Sequence, residues 1–228
     1  MVTRQQSTLQ NQLIAGCEKA RQMTSTILVS QTKKAKNIDP LLFFASGKHF
    51  FSGDRFFWAN QEDDFIIAGL GNARKFEVQQ SIDRFNGIEQ QWNRFIGNSI
   101  VYAEKDIYGT GPILFGGFSF DPLKKKTDLW ANFSDGKFML PKFMLSIING
   151  EAWLTTNIIC GIYDDPYELC ETIEDIEMKL FESTLFNDVK PIKRRCFQSE
   201  IEPEKWKESV KNVTKDIQAG LIEKVVLA

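Results

Sequence analysis

Two apolar runs joined by an Asn-Gly pair constrain the fold more than any other feature of this chain. The runs cover residues 138–148 and 152–160, and Asn149-Gly150 lies between them. An Asn-Gly pair favours the tight two-residue turn of a β-hairpin, because both residues accept positive φ. A third apolar run, at 112–120, comes earlier in the chain. The middle of the chain is therefore predicted to form an antiparallel sheet.

Apolar residues at helical spacing occur on both sides of this predicted sheet. The predicted helices lie at about 9–20, 82–96, 166–181 and 203–220, and further strands lie at about 26–30 and 65–70. Strands and helices do not alternate along the chain as they would in a doubly wound fold. The sequence therefore predicts an α+β fold, a largely antiparallel sheet packed with helices.

Two local features refine this prediction. Pro141 lies inside the first apolar run and predicts an edge position or a bulge, since proline cannot donate a ladder hydrogen bond. Gly53-Asp54 predicts a tight turn, which would join the aromatic residues 50–51 and 55–58 as a hairpin.

Charge and composition exclude several classes of function. The 228 residues carry 28 basic and 30 acidic side chains, a net charge of −2, which argues against a surface devoted to nucleic acid or anionic lipid. The N-terminus lacks the apolar core of a signal peptide, and no apolar run reaches 18 residues. We therefore expect a cytoplasmic protein with no membrane and no nucleic-acid partner.

Cysteine and histidine usage gives no metal motif. The four cysteines, Cys17, Cys160, Cys170 and Cys196, include no Cys-x-x-Cys pair and are predicted to be reduced residues of the core. His49 is the single histidine, so a histidine-based triad or a histidine-rich zinc site cannot be built. It is predicted to lie on the surface or to be satisfied by hydrogen bonds.

Glycine pairs, acidic pairs and tryptophans have structural interpretations. The glycines at 69–71, 109–111 and 116–117 lack the spacing of phosphate-binding loops, so turns and close backbone approaches are predicted. Asp164-Asp165 precedes Pro166 and is typical of a helix N-terminus. The five tryptophans are predicted to anchor the core and its edge, and they are Trp58, Trp92, Trp130, Trp153 and Trp206.

The last residues predict that the chain belongs to a longer protein. Residues 225–228 form an aliphatic run typical of a buried strand, and a buried strand needs backbone partners on both sides. We expect residues 1–200 to form an N-terminal α+β region, and residues 201–228 to begin a further region that is incomplete here.

Lys224 lies at the mouth of this predicted strand. A lysine beside an apolar strand is usually a solubilising flank. The alternative is a general base, because a lysine desolvated by aliphatic neighbours can accept a proton. The residues alone leave both interpretations open.

Ordered motifs along most of the chain resemble the chorismate-utilising enzymes, and within them the menaquinone-type isochorismate synthases. The resemblance rests on GDRFFW (53–58), GPILFGGFSFDP (111–122), the Trp130-x-x-Phe133-x-x-Gly136-x-Phe138-x-Leu140-Pro141 pattern, Trp153-Leu154-Thr155-x-Asn157 and KVVLA (224–228).

The resemblance implies the N-terminal part of that fold, truncated, in which residues 201–228 are the incomplete start of the chorismate-binding catalytic region. It also implies an enzyme that isomerises chorismate to isochorismate with Mg²⁺. The position of Lys224 is that of the general base, which activates water for attack at C2. The general acid and the magnesium ligands of the family are expected beyond Ala228, so no metal or cofactor ligand is assigned within these residues. The 228 residues alone are expected to be inactive.

Related activities remain as alternatives. Salicylate synthases share the lysine, and siderophore-branch isochorismate synthases share the chemistry. The large subunits of anthranilate and aminodeoxychorismate synthases typically carry glutamine at this position and use ammonia, so lysine favours water and no glutaminase subunit is expected. A non-catalytic scaffold domain, with a structural Lys224, is the remaining hypothesis.

Overall fold

The computed structural model describes residues 8–36, 38–51, 53–62, 64–79, 82–103, 107–121, 123, 126–182 and 202–226. The chain divides into two units, Met1–Phe186 and Asn187–Ala228. The predicted domain boundary at residue 200 lies within 183–201, outside the described residues, and stays a prediction. The same holds for Cys196.

The first unit contains five helices and nine strands among its described residues. In chain order they are α1 (Thr8–Met23), β1 (Ile27–Lys34), α2 (Pro40–Ser46), α3 (Lys48–Phe51), β2 (Arg55–Ala59), β3 (Phe65–Leu70), β4 (Arg74–Val78), α4 (Arg84–Ile96), β5 (Ile100–Tyr102), β6 (Phe115–Phe118), a 3₁₀ turn (Asp128–Trp130), β7 (Gly136–Leu140), β8 (Phe143–Ile148), β9 (Glu151–Cys160) and α5 (Pro166–Glu182).

A six-stranded sheet forms the centre of this unit, in the order β2-β3-β8-β9-β1-β5. Every pair is antiparallel except β1 with β5. The β8–β9 hairpin closes where Ile148 pairs with Glu151, and Asn149 and Gly150 have φ of 49° and 79°. Both values suit a tight primed turn. The α+β class and the hairpin are thus confirmed.

A second sheet has three strands in the order β4-β7-β6. The apolar run 138–148 is therefore two strands in two sheets, whereas the sequence predicted an edge position or a bulge at Pro141. The break falls at Pro141, which has no N–H to continue the ladder. The next residue, Lys142, donates its N–H to Leu70 O at 3.0 Å and so joins the larger sheet.

Helices cover one face of the larger sheet and one face of the smaller sheet. The main core lies between the larger sheet and the helices α1, α2 and α5. A Cβ at Gly16 of α1 would collide with Val29 of β1, so glycine allows the helix to approach the sheet closely. A smaller cluster joins α4 to the second sheet through Ile88, Phe76 and Leu140.

The predicted hairpin around Gly53-Asp54 was wrong, because Phe50 and Phe51 belong to α3. The helix before it, α2, begins at Pro40 and is capped by Asp39, whose Oδ1 accepts the Leu41 N–H at 2.7 Å. A capping aspartate followed by proline at the first helical position favours a helix. The chain then turns helical again in α3, where Phe51 donates its N–H to Gly47 O at 2.9 Å.

The second unit contains α6 (Pro203–Gln218), which begins with proline as expected. Residues 225 and 226 are not in a strand and are exposed, so the predicted strand is not present in its described part. Residues 227 and 228 lie outside the described residues. Within the described chain, no helix has both the length and the apolar character to cross a membrane.

Polar side chains form a buried seam across the middle of the larger sheet. Ser30 Oγ donates to Asn157 Oδ1 at 2.7 Å, and Asn157 Nδ2 donates to Pro141 O at 2.9 Å. Thr32 and Thr155 join their hydroxyl oxygens at 3.0 Å. All four side chains are buried, so each hydrogen bond replaces one that water would otherwise make.

Replacing Asn157 with alanine should destabilise the protein by about 2–3 kcal/mol, since Ser30 and Pro141 would each lose a buried partner. Urea denaturation followed by circular dichroism measures this change. The matched control is Asn93→Ala on the exposed side of α4, which should stay within about 0.5 kcal/mol of the parent protein. Equal effects of the two substitutions would contradict this account of the seam.

Candidate functional site

Lys224 lies in the short segment 221–226 that follows α6. Gly220 ends the helix with φ of 72° and leaves Leu221 to donate its N–H to Asp216 O at 3.0 Å. This pattern is a helix C-cap, which glycine favours because it has no Cβ. Glu223 and Lys224 are both exposed. The aliphatic neighbours that would desolvate the lysine do not enclose it in this unit.

The other residues singled out from the sequence have structural roles. His49 is exposed on α3. Asp165 Oδ1 accepts the Tyr167 N–H at 2.7 Å and caps α5, while Asp164 Oδ2 accepts the Gly161 N–H at 2.6 Å. The predicted helix N-terminus is therefore confirmed. Among the described residues, no group of three or more His, Cys, Asp or Glu side chains could hold a metal ion.

The glycines at 109 and 111 shape a loop over the polar seam. Both have positive φ, at 79° and 81°. Gly109 O accepts from Ser146 Oγ at 2.6 Å, and Gly111 N donates to Thr155 Oγ1 at 3.1 Å. The seam therefore fixes the loop, and the prediction of glycine turns is confirmed.

A charged cavity of about 700 Å³ lies between the end of β1 and the end of α5. Its rim carries lysines and glutamates over an apolar floor that includes Ile38 and Leu154. Lys33 Nζ lies 2.5 Å from Glu177 Oε1, and Lys34 Nζ lies 2.6 Å from Glu151 Oε1. These ion pairs engage two of the basic groups within the unit, so we assign no ligand to this cavity.

A second cavity, which we call the aromatic groove, has a volume of about 820 Å³ and lies beside β6. The aromatic side chains that line it are Phe115, Phe118, Phe120, Trp130 and Phe133. Trp130 and Phe133 pack with ring centroids 5.2 Å apart. Both are more than half exposed, and Phe120 is fully exposed. The sequence predicted that each tryptophan anchors the core or its edge, and Trp130 instead lines this groove with more than half of its surface exposed.

Trp58 and Trp206 are also about half exposed, whereas Trp153 is buried. An indole ring contributes to the core only where another element covers it. The spacing of apolar residues in a sequence identifies the apolar face of an element, but it does not show whether another element packs against that face. Three of the five tryptophans therefore lie at surfaces that the described residues leave open.

A lysine that lines the aromatic groove, Lys126, pairs with a buried carboxylate. Asp135 is 1% exposed, and its Oδ1 lies 3.2 Å from Lys126 Nζ. Lys126 also donates to Phe133 O. One lysine therefore contacts both the carboxylate of Asp135 and the backbone carbonyl of Phe133. Sequence reasoning missed this pair. The only signal was the closely spaced Trp130, Phe133 and Asp135, which periodicity alone does not bring together with Lys126.

Comparison with known proteins gives three findings. The family model described as "Chorismate binding enzyme" matches residues 13–228. "Isochorismate synthase MenF" of Bacillus subtilis (strain 168) is 29% identical over 232 residues, covering 100% of this chain and 49% of the relative. This chain thus spans about half of the length of that curated relative.

The third finding is a solved structure, "Structure and Mechanism of MenF, the Menaquinone-Specific Isochorismate Synthase from Escherichia Coli". It aligns with 90% of this chain and 42% of its own chain, at 15% identity and a TM-score of 0.40.

The buried thiols give a pH prediction. Cys17 and Cys160 are fully buried, and burial raises the pKa of both thiols above the usual 9.0. The thiol–thiol hydrogen bond lowers the pKa of Cys17 and raises that of Cys160. The folded protein therefore holds these protons more tightly than the unfolded chain does.

Because the folded state keeps both thiols protonated, their contribution to the free energy of unfolding should be fully present below about pH 9. This contribution should decrease as the pH rises further. Urea midpoints at pH 8, 9 and 10 measure the fall. In Cys160→Ser, which has no thiol at this position, the midpoint should decline less steeply. Identical slopes for the two proteins would contradict the assignment.

Proposed function

This chain belongs to the family of chorismate-binding enzymes, and from that membership we propose that its full-length protein is an isochorismate synthase of menaquinone biosynthesis. One observation carries the proposal. The family match extends over residues 13–228, and the relative that is 29% identical over the whole chain bears the name isochorismate synthase. The proposed compartment is the cytoplasm, and the proposed substrate is chorismate.

We assign Lys224 as the general base of the reaction. Its amine takes a proton from water as the water oxygen bonds to C2 of chorismate. The C4 hydroxyl leaves as a second water after it receives a proton from a general acid outside these residues. One water enters and one leaves, so the net change is an isomerisation. Positioned proton transfer of this kind contributes on the order of 10²–10⁴-fold to a rate.

The exposure of Lys224 in the present chain bears on this role. A base must hold its proton-accepting form close to the substrate, in a cleft that excludes most of the water. The described residues of its own unit, 202–226, provide no such enclosure around Lys224. The rest of the cleft would therefore come from the remaining length of the protein. On this basis the 228 residues alone should not convert chorismate.

Magnesium is the cofactor expected of the full-length enzyme. The described residues offer no cluster of acidic or histidine side chains that fits a metal ion, so we route no step through it. Water rather than ammonia is the proposed nucleophile, and the enzyme therefore needs no glutaminase subunit.

Lys224→Gln in the full-length protein should lower kcat by about 10²-fold or more, with the KM for chorismate and the melting temperature little changed. Isochorismate formation measured by chromatography tests this expectation. The control is Lys211→Gln on the exposed surface of α6, which should retain full activity. Unchanged turnover in Lys224→Gln would favour the non-catalytic scaffold and remove the proposed mechanism.

Product analysis of the same full-length protein distinguishes the related enzymes. Isochorismate as the sole product is expected. Salicylate with an equal amount of pyruvate would identify a salicylate synthase instead. Disruption of the gene should lower menaquinone and leave catechol siderophores unchanged, and the reverse result would assign the protein to the siderophore branch.

A further inference from the structure

The two edges of the three-stranded sheet differ in a way that indicates where another strand can be added. β4 carries Arg74, Lys75 and Glu77 along its five residues. Charged side chains on an edge strand discourage pairing with another chain. The opposite edge, β6, has the sequence FGGF and carries no charge. One edge is thus protected, and the other is open.

The backbone of β6 is accessible because its two central residues have no side chains. Gly116 approaches β7 so closely that a Cβ would collide with Lys137 O. Gly117 is exposed, and a Cβ there would meet no heavy atom of the described chain within 4 Å. Glycine inside a strand often marks a place where another backbone comes close. Among the described residues, β7 is the only strand that pairs with β6.

The aromatic groove beside this edge is suited to an apolar partner. Its two lysines are engaged within the unit, since Lys126 pairs with Asp135 and Lys137 Nζ lies 3.5 Å from Glu77 Oε1. Phe120, Trp130 and Phe133 provide its exposed surface. Exposed aromatic surface of this extent is characteristic of an interface that another segment covers.

We propose that a β-strand from the part of the full-length protein that follows residue 228 pairs with β6 and packs apolar side chains into the aromatic groove. The length of the curated relative indicates which segment could supply the added strand. This chain accounts for 49% of the curated relative, so a protein of that family contains a comparable length of further chain to supply the strand. The inference rests on the proposal that the working enzyme is longer than 228 residues.

The helix α6 provides a second observation, because it also has an apolar face with no packing partner in its own unit. The helix α6 has Trp206, Val210, Val213 and Ile217 at helical spacing, yet it contains no buried residue. A 16-residue helix with one apolar stripe is normally stabilised by packing that stripe against another element. The described residues of the second unit therefore provide no cover for the apolar stripe of α6.

Cysteine labelling of the full-length protein tests the proposal. Gly117 pairs with Lys137, which lines the aromatic groove, so Gly117→Cys places a thiol on the groove face of β6, where side chains of the added strand would pack. Gly53→Cys is the control, because its Cβ also meets no atom within 4 Å and its φ is not positive. Each native protein is treated with a maleimide, and the labelled peptide is quantified by mass spectrometry. A covered site reacts only through local opening, so Gly117→Cys should react ~10-fold or more slowly than Gly53→Cys. Both should react equally in denaturant.

Three results would overturn the proposal. The first is equal labelling of the two native proteins. The second is protection of Gly117→Cys that disappears on dilution, because a second copy would then be the cover. The third is a complete gene product that ends at residue 228. Labelling requires no turnover, so this test can fail while isochorismate synthesis is observed, and the reverse also holds.

Hydrogen exchange of the unsubstituted full-length protein provides an independent measurement. Ser119 donates its N–H to Asp135 O, so in the alternating ladder Gly117 faces β7 and the amide of Gly116 faces the open edge. The amide of Gly116 should exchange ~10-fold or more slowly than that of Gly150 in the exposed turn. Fast exchange at Gly116 would overturn the proposal even if the cysteine variants failed to fold.

Discussion

The side chain of Asn157 fixes the point where the chain passes from one sheet to the other. The side-chain amide accepts a hydrogen bond from Ser30 Oγ and donates one to the carbonyl of Pro141. The backbone N–H of Asn157 donates to Lys142 O at 2.8 Å. Proline has no backbone N–H, so at this crossing the carbonyl is the only backbone group of Pro141 that can form a hydrogen bond. The buried amide satisfies that carbonyl, and the orientation of β7 relative to β8 depends on it.

Local chemistry explains which parts of the fold were predictable. The Asn149-Gly150 turn, the Asp165 cap and the Pro203 start each depend on residues adjacent in sequence, and each was predicted correctly. The division at Pro141 depends on Leu70 and Asn157, which are far from it in sequence. Hydrophobic periodicity reports which residues are apolar, but it does not report which sheet a strand joins.

The candidate site was less predictable than the fold, for a different reason. Lys224 was chosen from its place before an aliphatic run and from a family resemblance, and neither feature specifies its surroundings. The aromatic groove has no sequence motif, because its walls come from an edge strand, a 3₁₀ turn and β7. Its identification required the three-dimensional arrangement and the observation that its lysines already have carboxylate partners.

The place of β1 in the larger sheet has a consequence for synthesis on the ribosome. This strand is near the N-terminus, yet its antiparallel neighbour β9 is far along the chain, with Ser30 and Asn157 separated by 127 residues. Translation at 5–20 residues per second separates the two by on the order of ten seconds. During that interval, of the described strands only the short parallel strand β5, through three residue pairs, can bond to the nascent β1. The backbone groups of β1 that face β9 therefore stay unpaired until β9 has been made.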